Sequence, residues 1–305
     1  MKYGFVFAGQ GSQYPKMGYD FYNRYDYVKK LYEEATNVLG FSIEEICFTE
    51  NEKLNQTKYL QPATLITSIA IYEVVKKEYN LSPSVVAGFS LGEYTALYAS
   101  GIFSFKQVVE LVKLRAMFMD EATKDSDGKM AAIIGLKINQ LEEIINKFDD
   151  VFIANFNSPV QYVISGTQDG VEKASQEAKL KGAKRVINLN VSGAFHSRFM
   201  ASASGNLYEV LNETSYKKPK IDLIANINAE KIDINNLAMV LKKQVESPVL
   251  WIDTINKIIA DYKPDYFIEI GPGKVLSGLI RKIDRNQKII NINKTSDLDL
   301  LREES

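Results

Sequence analysis

Between residues 85 and 96 the chain reads Val-Val-Ala-Gly-Phe-Ser-Leu-Gly-Glu-Tyr-Thr-Ala, a short apolar strand that turns into a helix within one Gly-x-Ser-x-Gly. Glycines on both sides of Ser90 permit a tight, strained turn that lifts the hydroxyl above the end of a sheet. The helix that follows points its free N–H groups and positive dipole end at the same spot, where negative charge on an acyl oxygen would be stabilised. The motif alone is also compatible with a tight turn in which Ser90 is merely a helix N-cap, so other residues must decide.

Composition narrows the field. The balance of 37 basic against 38 acidic residues excludes a protein whose main task is to neutralise phosphate backbones, so no nucleic-acid partner is expected. One cysteine, Cys47, and one histidine, His196, can assemble neither a His/Cys metal cluster nor an internal disulfide. Cys47 lies in an apolar stretch and reads as a buried core thiol. The run from Met1 to Ala8 is too short for a secretory leader, and no later apolar run approaches a membrane span. A cytoplasmic location without membrane association is expected.

Along the chain, residues 3–8 form an apolar strand ending in the loop Gly9-Gln10-Gly11-Ser12-Gln13, which lacks the pattern of a phosphate loop. Residues from about 19 to 39 read as helical, and Gln61-Pro62 opens a long helix through Tyr79 with Leu65, Ile66, Ile69, Ala70, Val74 and Val75 inward. After the elbow and a helix over 104–122, the pattern from about 126 to 190 is strand, helix, strand, strand, helix, strand. That is the split βαβ order of a ferredoxin-like module. Helices and strands then alternate again, with strands at 221–227, 266–270 and 288–292. The tail after Thr295 reads as charged and frayed. The expected fold is therefore α/β: a hydrolase-like large domain with a mostly parallel sheet over 1–125 and 191–305, and an inserted ferredoxin-like βαββαβ subdomain over 126–190.

Two residues stand out against this background. Arg115 falls on the apolar stripe of its helix, between Leu111 and Val112 behind and Phe118 and Met119 ahead. An inward guanidinium needs a negative partner, either a resident Asp or Glu or a carboxylate that arrives with the substrate. His196 follows the last strand of the inserted module, where the two domains should meet. If Ser90 is a nucleophile, this sole histidine is its only histidine base.

Taken together, several segments in order resemble the bacterial malonyl-CoA:acyl carrier protein transacylase family. They are Gly9-Gln10-Gly11-Ser12-Gln13, Gly88-Phe89-Ser90-Leu91-Gly92-Glu93, Leu114-Arg115, Ala194-Phe195-His196-Ser197, Gln244-Val245-Glu246-Ser247-Pro248-Val249 and Glu269-Ile270-Gly271-Pro272-Gly273-Lys274. The resemblance spans almost the whole chain. It implies that Ser90 accepts the acyl group, that His196 is its base, and that the Gln244 backbone carbonyl orients the imidazole. It further implies an oxyanion hole from the N–H groups of Gln10 and Leu91, a malonyl carboxylate gripped by Arg115, and a cleft lined by Asn155 and Gln61. Phe195 resembles the malonyl-type pattern, in which bulk leaves little room for an α-methyl branch. The chain departs from the family at Phe89, where a histidine commonly precedes the nucleophile, so any polar contact made by that histidine is absent.

The implied reaction is ping-pong transfer of malonyl from malonyl-CoA to the phosphopantetheine thiol of an acyl carrier protein, for fatty acid synthesis. It requires no metal or other cofactor, and the expected species is a monomer. A serine thioesterase or lipase-type hydrolase, or a discrete polyketide-type acyltransferase, would share the elbow. Exposed cations expected near the cleft rim for an acidic carrier are Lys181, Lys184 and Arg185, with Lys274, Arg281 and Lys282 opposite.

Overall fold

Uninterrupted apolar runs become strands buried on both faces, and the alternating ones become strands covered on one. In the computed structural model, which describes residues 1–124 and 127–303, the strands are β1 (Tyr3–Phe7), β2 (Val85–Gly88), β3 (Gly128–Ile134), β4 (Val151–Ser158), β5 (Gln161–Thr167), β6 (Arg185–Asn188), β7 (Asp222–Leu223), β8 (Tyr266–Ile270) and β9 (Ile289–Ile292). A domain boundary at 125/126 lies outside the described residues, as do Glu304 and Ser305.

The larger sheet has the order β7-β2-β1-β8-β9, with every pair parallel. All residues of β2 and β8, and Gly4 to Phe7 of β1, are buried, as a sheet covered on both faces requires. From β1 the chain crosses to β2 on one side and later returns to β8 on the other. The strand order therefore switches at β1, where open α/β sheets build their sites, and the loop after β1 lies beside that after its paired neighbour β2. The smaller sheet has the order β4-β5-β3-β6 and is antiparallel throughout, with helices Ile138–Ile145 and Gln168–Leu180 completing a ferredoxin-like topology. The smaller sheet is tied at β4 to the segment before helix Trp251–Tyr262: Phe156 N–H donates to Val249 O and Val249 N–H to Ala154 O, both at 2.9 Å. Irregular pairing of β4 with β5 between Ile153 and Asn155 turns the strand at this seam. No helix among the described residues is long and apolar enough to cross a membrane.

Several elements differ from the sequence expectation. The helical stretch over about 19–39 consists of two helices, Tyr19–Arg24 and Asp26–Leu39, separated where Tyr25 is extended. The helix expected to open at Gln61-Pro62 begins at Thr57, so Pro62 is internal; the carbonyl of exposed Lys58 loses a ladder bond that water can replace. The strand expected over 221–227 pairs only at Asp222 and Leu223, because Ala225 N–H bonds back to Glu230 O and turns the chain away. Cys47 is fully buried, and burial pushes its thiol up to about 12, far from reactivity.

As far as residue 303, the tail is not frayed. Asp297 accepts from the N–H groups of Asn293 and Lys294, and Thr295 N–H donates to Asp20 across the molecule. The helical turns that follow set Leu298 and Leu301 into the main core at 1% and 2% exposure. Two apolar residues at a spacing of three suffice to dock such a segment, whatever its charge. Leu298→Ala should accordingly cost about 2 kcal/mol or more in chemical denaturation. A variant as stable as the parent would return the tail to the frayed state.

Candidate active site

The turn after β2 is forced by close contacts. A Cβ on Gly88 would lie 1.9 Å from the Gly92 carbonyl carbon, and one on Gly92 would lie 2.1 Å from Phe7 O, so neither position admits a side chain. Between them Ser90 is left-handed at φ 50°, a conformation that costs a non-glycine residue on the order of 1 kcal/mol or more. Its hydroxyl stands at the N-terminal end of helix Gly92–Ala99.

His196 arrives from the loop after β6 and is nearly buried. Its Nε2 lies 2.7 Å from Ser90 Oγ, while Nδ1 is 3.0 Å from Gln244 O and 3.1 Å from Ser247 O. Two carbonyls can only accept, so Nδ1 carries the proton and Nε2 presents its lone pair to the hydroxyl. Burial, with Arg115 adding to it, pulls the imidazole from 6.5 down to about 4, so it stays neutral and able to accept a proton.

Arg115 lies on helix Phe105–Lys124 at 1% exposure, and among the described residues no carboxylate comes within ion-pair distance of it. Its partners are neutral. NH1 donates to Gln61 Oε1 at 2.6 Å, and NH2 reaches Gln244 Oε1 at 3.3 Å and Ser90 Oγ at 3.4 Å. The Tyr94 ring centroid lies 5.3 Å away. Glu93 attracts the guanidinium only at longer range and is itself pushed up to about 8 by burial, so near neutrality it offers little compensating charge. Of the two partners open to Arg115 in the sequence, a resident Asp or Glu at ion-pair distance is thus the one not found among the described residues.

A cleft of about 420 Å³ opens above these groups between the two sheets, lined by Gln10, Leu91, Asn155, Phe195 and the Ser90, His196 and Arg115 side chains. Gln61 is not among its walls. It is fully buried behind Arg115, because the guanidinium needs a neutral acceptor there. Phe89 is a wall, its ring packed edge-on against Trp251 at 5.4 Å, so the position gives packing in place of a polar contact. Three participants escaped sequence reasoning: the Gln244 side chain, Ser247 O and Asn226. Gln244 Nε2 donates to Ser90 O at 2.7 Å, and Asn226 holds the main chain on both sides of Phe89. A polar residue just past the C-terminal end of a parallel strand was the available signal for Asn226.

This geometry, a serine at a glycine elbow with a histidine on its hydroxyl, is that of an acyl-transferring enzyme. The chain matches the acyl transferase domain family over residues 4–292 and belongs to it. Within that family it is 43% identical, across 98% of its length and 96% of the relative's, to the malonyl CoA-acyl carrier protein transacylase of Bacillus subtilis. The crystal structure of MCAT from Streptococcus pneumoniae superposes with a TM-score of 0.94 at 40% identity, covering both chains completely. A malonyl-transacylase in complex with its type II PKS acyl-carrier protein superposes at 0.96 with 34% identity, also covering both chains completely.

Because the base is neutral down to about pH 4, phosphonylation of Ser90 by a fluorophosphonate should hold its rate through mild acid and fall only as His196 gains a proton near that value. His196→Ala should lower the rate by roughly 10²-fold or more and abolish that limb. Intact mass against time across the pH range measures both, and a midpoint near the ordinary 6.5 would contradict the buried, arginine-flanked base.

Proposed function

We propose that this chain moves a malonyl group from malonyl-CoA to the phosphopantetheine thiol of an acyl carrier protein through a Ser90 acyl-enzyme, supplying fatty acid synthesis. The observation that carries it is the buried guanidinium with no carboxylate at ion-pair distance among the described residues, 3.4 Å from the Ser90 hydroxyl oxygen. An acyl group that brings its own carboxylate supplies the missing charge and is thereby aligned on Ser90. Its chemical class is named by relatives that act on malonyl CoA and acyl carrier protein.

In the first half-reaction His196 Nε2 takes the Ser90 proton as Oγ bonds to the thioester carbon. The oxyanion is received by the N–H groups of Gln10 and Leu91 at the helix N-terminus, the C–S bond breaks, and the CoA sulfur leaves with the proton from His196. The second half repeats these steps with the carrier thiol as nucleophile and Ser90 Oγ as leaving group. No metal or redox group enters this scheme. The malonyl carboxylate has a further effect: pairing with Arg115 offsets one of the two influences that depress His196, so the base strengthens when the correct acyl group is bound.

Lys274 and Lys282 support a carrier-docking rim, for Lys274 adjoins cleft-lining Val275 and Lys282 Nζ bonds the cleft residue Gln161 at 2.9 Å. Arg281 is exposed beside Lys282. Arg185 and Lys184 are exposed at the same end of the smaller sheet as Gln161, since Arg185 and Gln161 flank Ile134. Lys181 is instead engaged by Glu143 at 3.7 Å. A monomer working in the cytoplasm completes the proposal, in keeping with a lone buried thiol and no apolar span among the described helices.

Mixing with malonyl-CoA should add one malonyl mass to the protein and none to Ser90→Ala. Arg115→Ala should lose about 2–5 kcal/mol of transition-state stabilisation with malonyl-CoA, yet use acetyl-CoA as well as the parent or better. Equal losses with both donors, alongside an early thermal midpoint, would assign Arg115 to stability instead. Transfer to an acidic carrier protein should weaken as salt rises while acylation by malonyl-CoA changes less. The same salt dependence in both half-reactions would remove the basic rim from the mechanism.

A further inference from the structure

On one side of β2 the parallel ladder with β1 runs to its end, Phe7 opposite Gly88. On the other side it stops early. β7 pairs with Val85 and Val86 only, Ile224 N–H makes a last bond to Val86 O at 3.1 Å, and the chain then turns back through the Ala225–Glu230 bond. Gly88 O and Ser90 N–H are thereby left facing the place where the next peptide group of a parallel strand would have come. Neither can be left unpaired at low cost, and Ser90 must in addition be kept at φ 50°.

Asn226 fills that place with its side chain. Oδ1 accepts from Ser90 N–H at 2.7 Å and Nδ2 donates to Gly88 O at 2.7 Å. In a parallel ladder one residue donates to the carbonyl before its opposite number and accepts from the N–H after it. A primary amide has one acceptor and one donor side in the same plane and reproduces that pattern around Phe89. Asn226 is fully buried, and its own N–H donates to Glu93 Oε2 at 3.3 Å. The same oxygen takes Gln244 Nε2 at 3.3 Å, and Gln244 Nε2 also bonds Ser90 O at 2.7 Å. Both peptide groups of Ser90 are thus held by side-chain amides that one buried carboxyl ties together.

We propose that Asn226 is a positioning residue for acyl transfer, a side-chain substitute for a missing strand that holds Ser90 in its left-handed turn and takes the Ser90 N–H out of oxyanion duty. The inference rests on Ser90 being the acyl acceptor. Extending β7 to make these bonds with main chain would wall off the edge from which His196 and Gln244 reach the serine. The amide leaves that edge open. It also leaves the N–H of Leu91, the next residue, for the developing oxyanion, together with that of Gln10 across the cleft.

The test is the rate of malonyl-enzyme formation at saturating malonyl-CoA, followed by rapid-quench intact mass, with wild type and Ser90→Ala as controls. If wild type forms no adduct, the acyl-enzyme reading fails before Asn226 is in question. With that reading intact, Asn226→Ala should acylate on the order of 10²-fold more slowly while the concentration of malonyl-CoA giving half the maximal rate is unchanged, since Arg115 and the cleft are untouched. A rate equal to wild type, or one reduced only by the unfolded fraction at the assay temperature, overturns the proposal.

Should Asn226→Ala not fold, Asn226→Asp decides alone. Its protonated carboxyl can donate to Gly88 O and accept from Ser90 N–H as the amide does, whereas its carboxylate would oppose the carbonyl. The charged or titratable groups around it are Glu93, Arg115 and His196, and all three are common to wild type. The acylation rate of Asn226→Asp relative to wild type should rise as pH falls towards about 5, still above the His196 value of about 4. A ratio independent of pH overturns the proposal.

Discussion

The geometry of the candidate site depends on holding Ser90 in a backbone conformation that a serine does not prefer. The turn exists because Gly88 and Gly92 bring the end of β2 and the start of the next helix closer than any side chain would allow, against the carbonyl of Phe7 in β1. From that approach follow the exposure of the hydroxyl, its position at a helix N-terminus, and the proximity of the two loops that carry Gln10 and Leu91. Strain of this kind persists only where the surroundings over-determine it. Here the surroundings are Asn226, Gln244 and Glu93, none of which needs to touch a substrate.

The second organising feature is a positive charge placed where a stability argument alone would not put it. Arg115 is buried among glutamine oxygens, a serine hydroxyl and a tyrosine ring, and burial makes its charged form less favourable than in water. Neutral acceptors keep the guanidinium hydrogen-bonded and oriented without neutralising it, so the site retains its attraction for an incoming anion. The same field depresses His196, so an anion paired with Arg115 would raise the basicity of that imidazole. Gln244 stands at the crossing: its main-chain oxygen holds the imidazole, its Oε1 the guanidinium and its Nε2 the serine backbone. One residue thereby fixes the relative positions of Ser90, His196 and Arg115.

Local pattern carried a large part of this into view. The βαββαβ order, the strand-turn-helix around Ser90 and the inward placement of Arg115 are properties of neighbours a few residues apart, where period and sterics act directly. The misplaced elements have local reasons too weak to read in advance. Tyr25 breaks a helix without proline or glycine, and Leu298 and Leu301 dock a charged tail through two side chains. Gln61 was expected at the cleft from the family resemblance alone, and its residue type says nothing of which side of Arg115 it occupies.

The sequence by itself determined the α/β class, the elbow, and which serine, histidine and arginine could act together, because each is written in spacing along the chain. Only the tertiary structure decided what Arg115 meets, since whether a carboxylate sits opposite depends on elements 54 and 129 residues away rather than on its own helix. It alone decided, too, that Gln244 serves with side chain and backbone at once. The roles of Asn226 and Glu93 were likewise invisible in the chain. A hydrogen bond across 136 residues leaves no period behind it; it exists because β7 ends early and folding brings that end to the elbow.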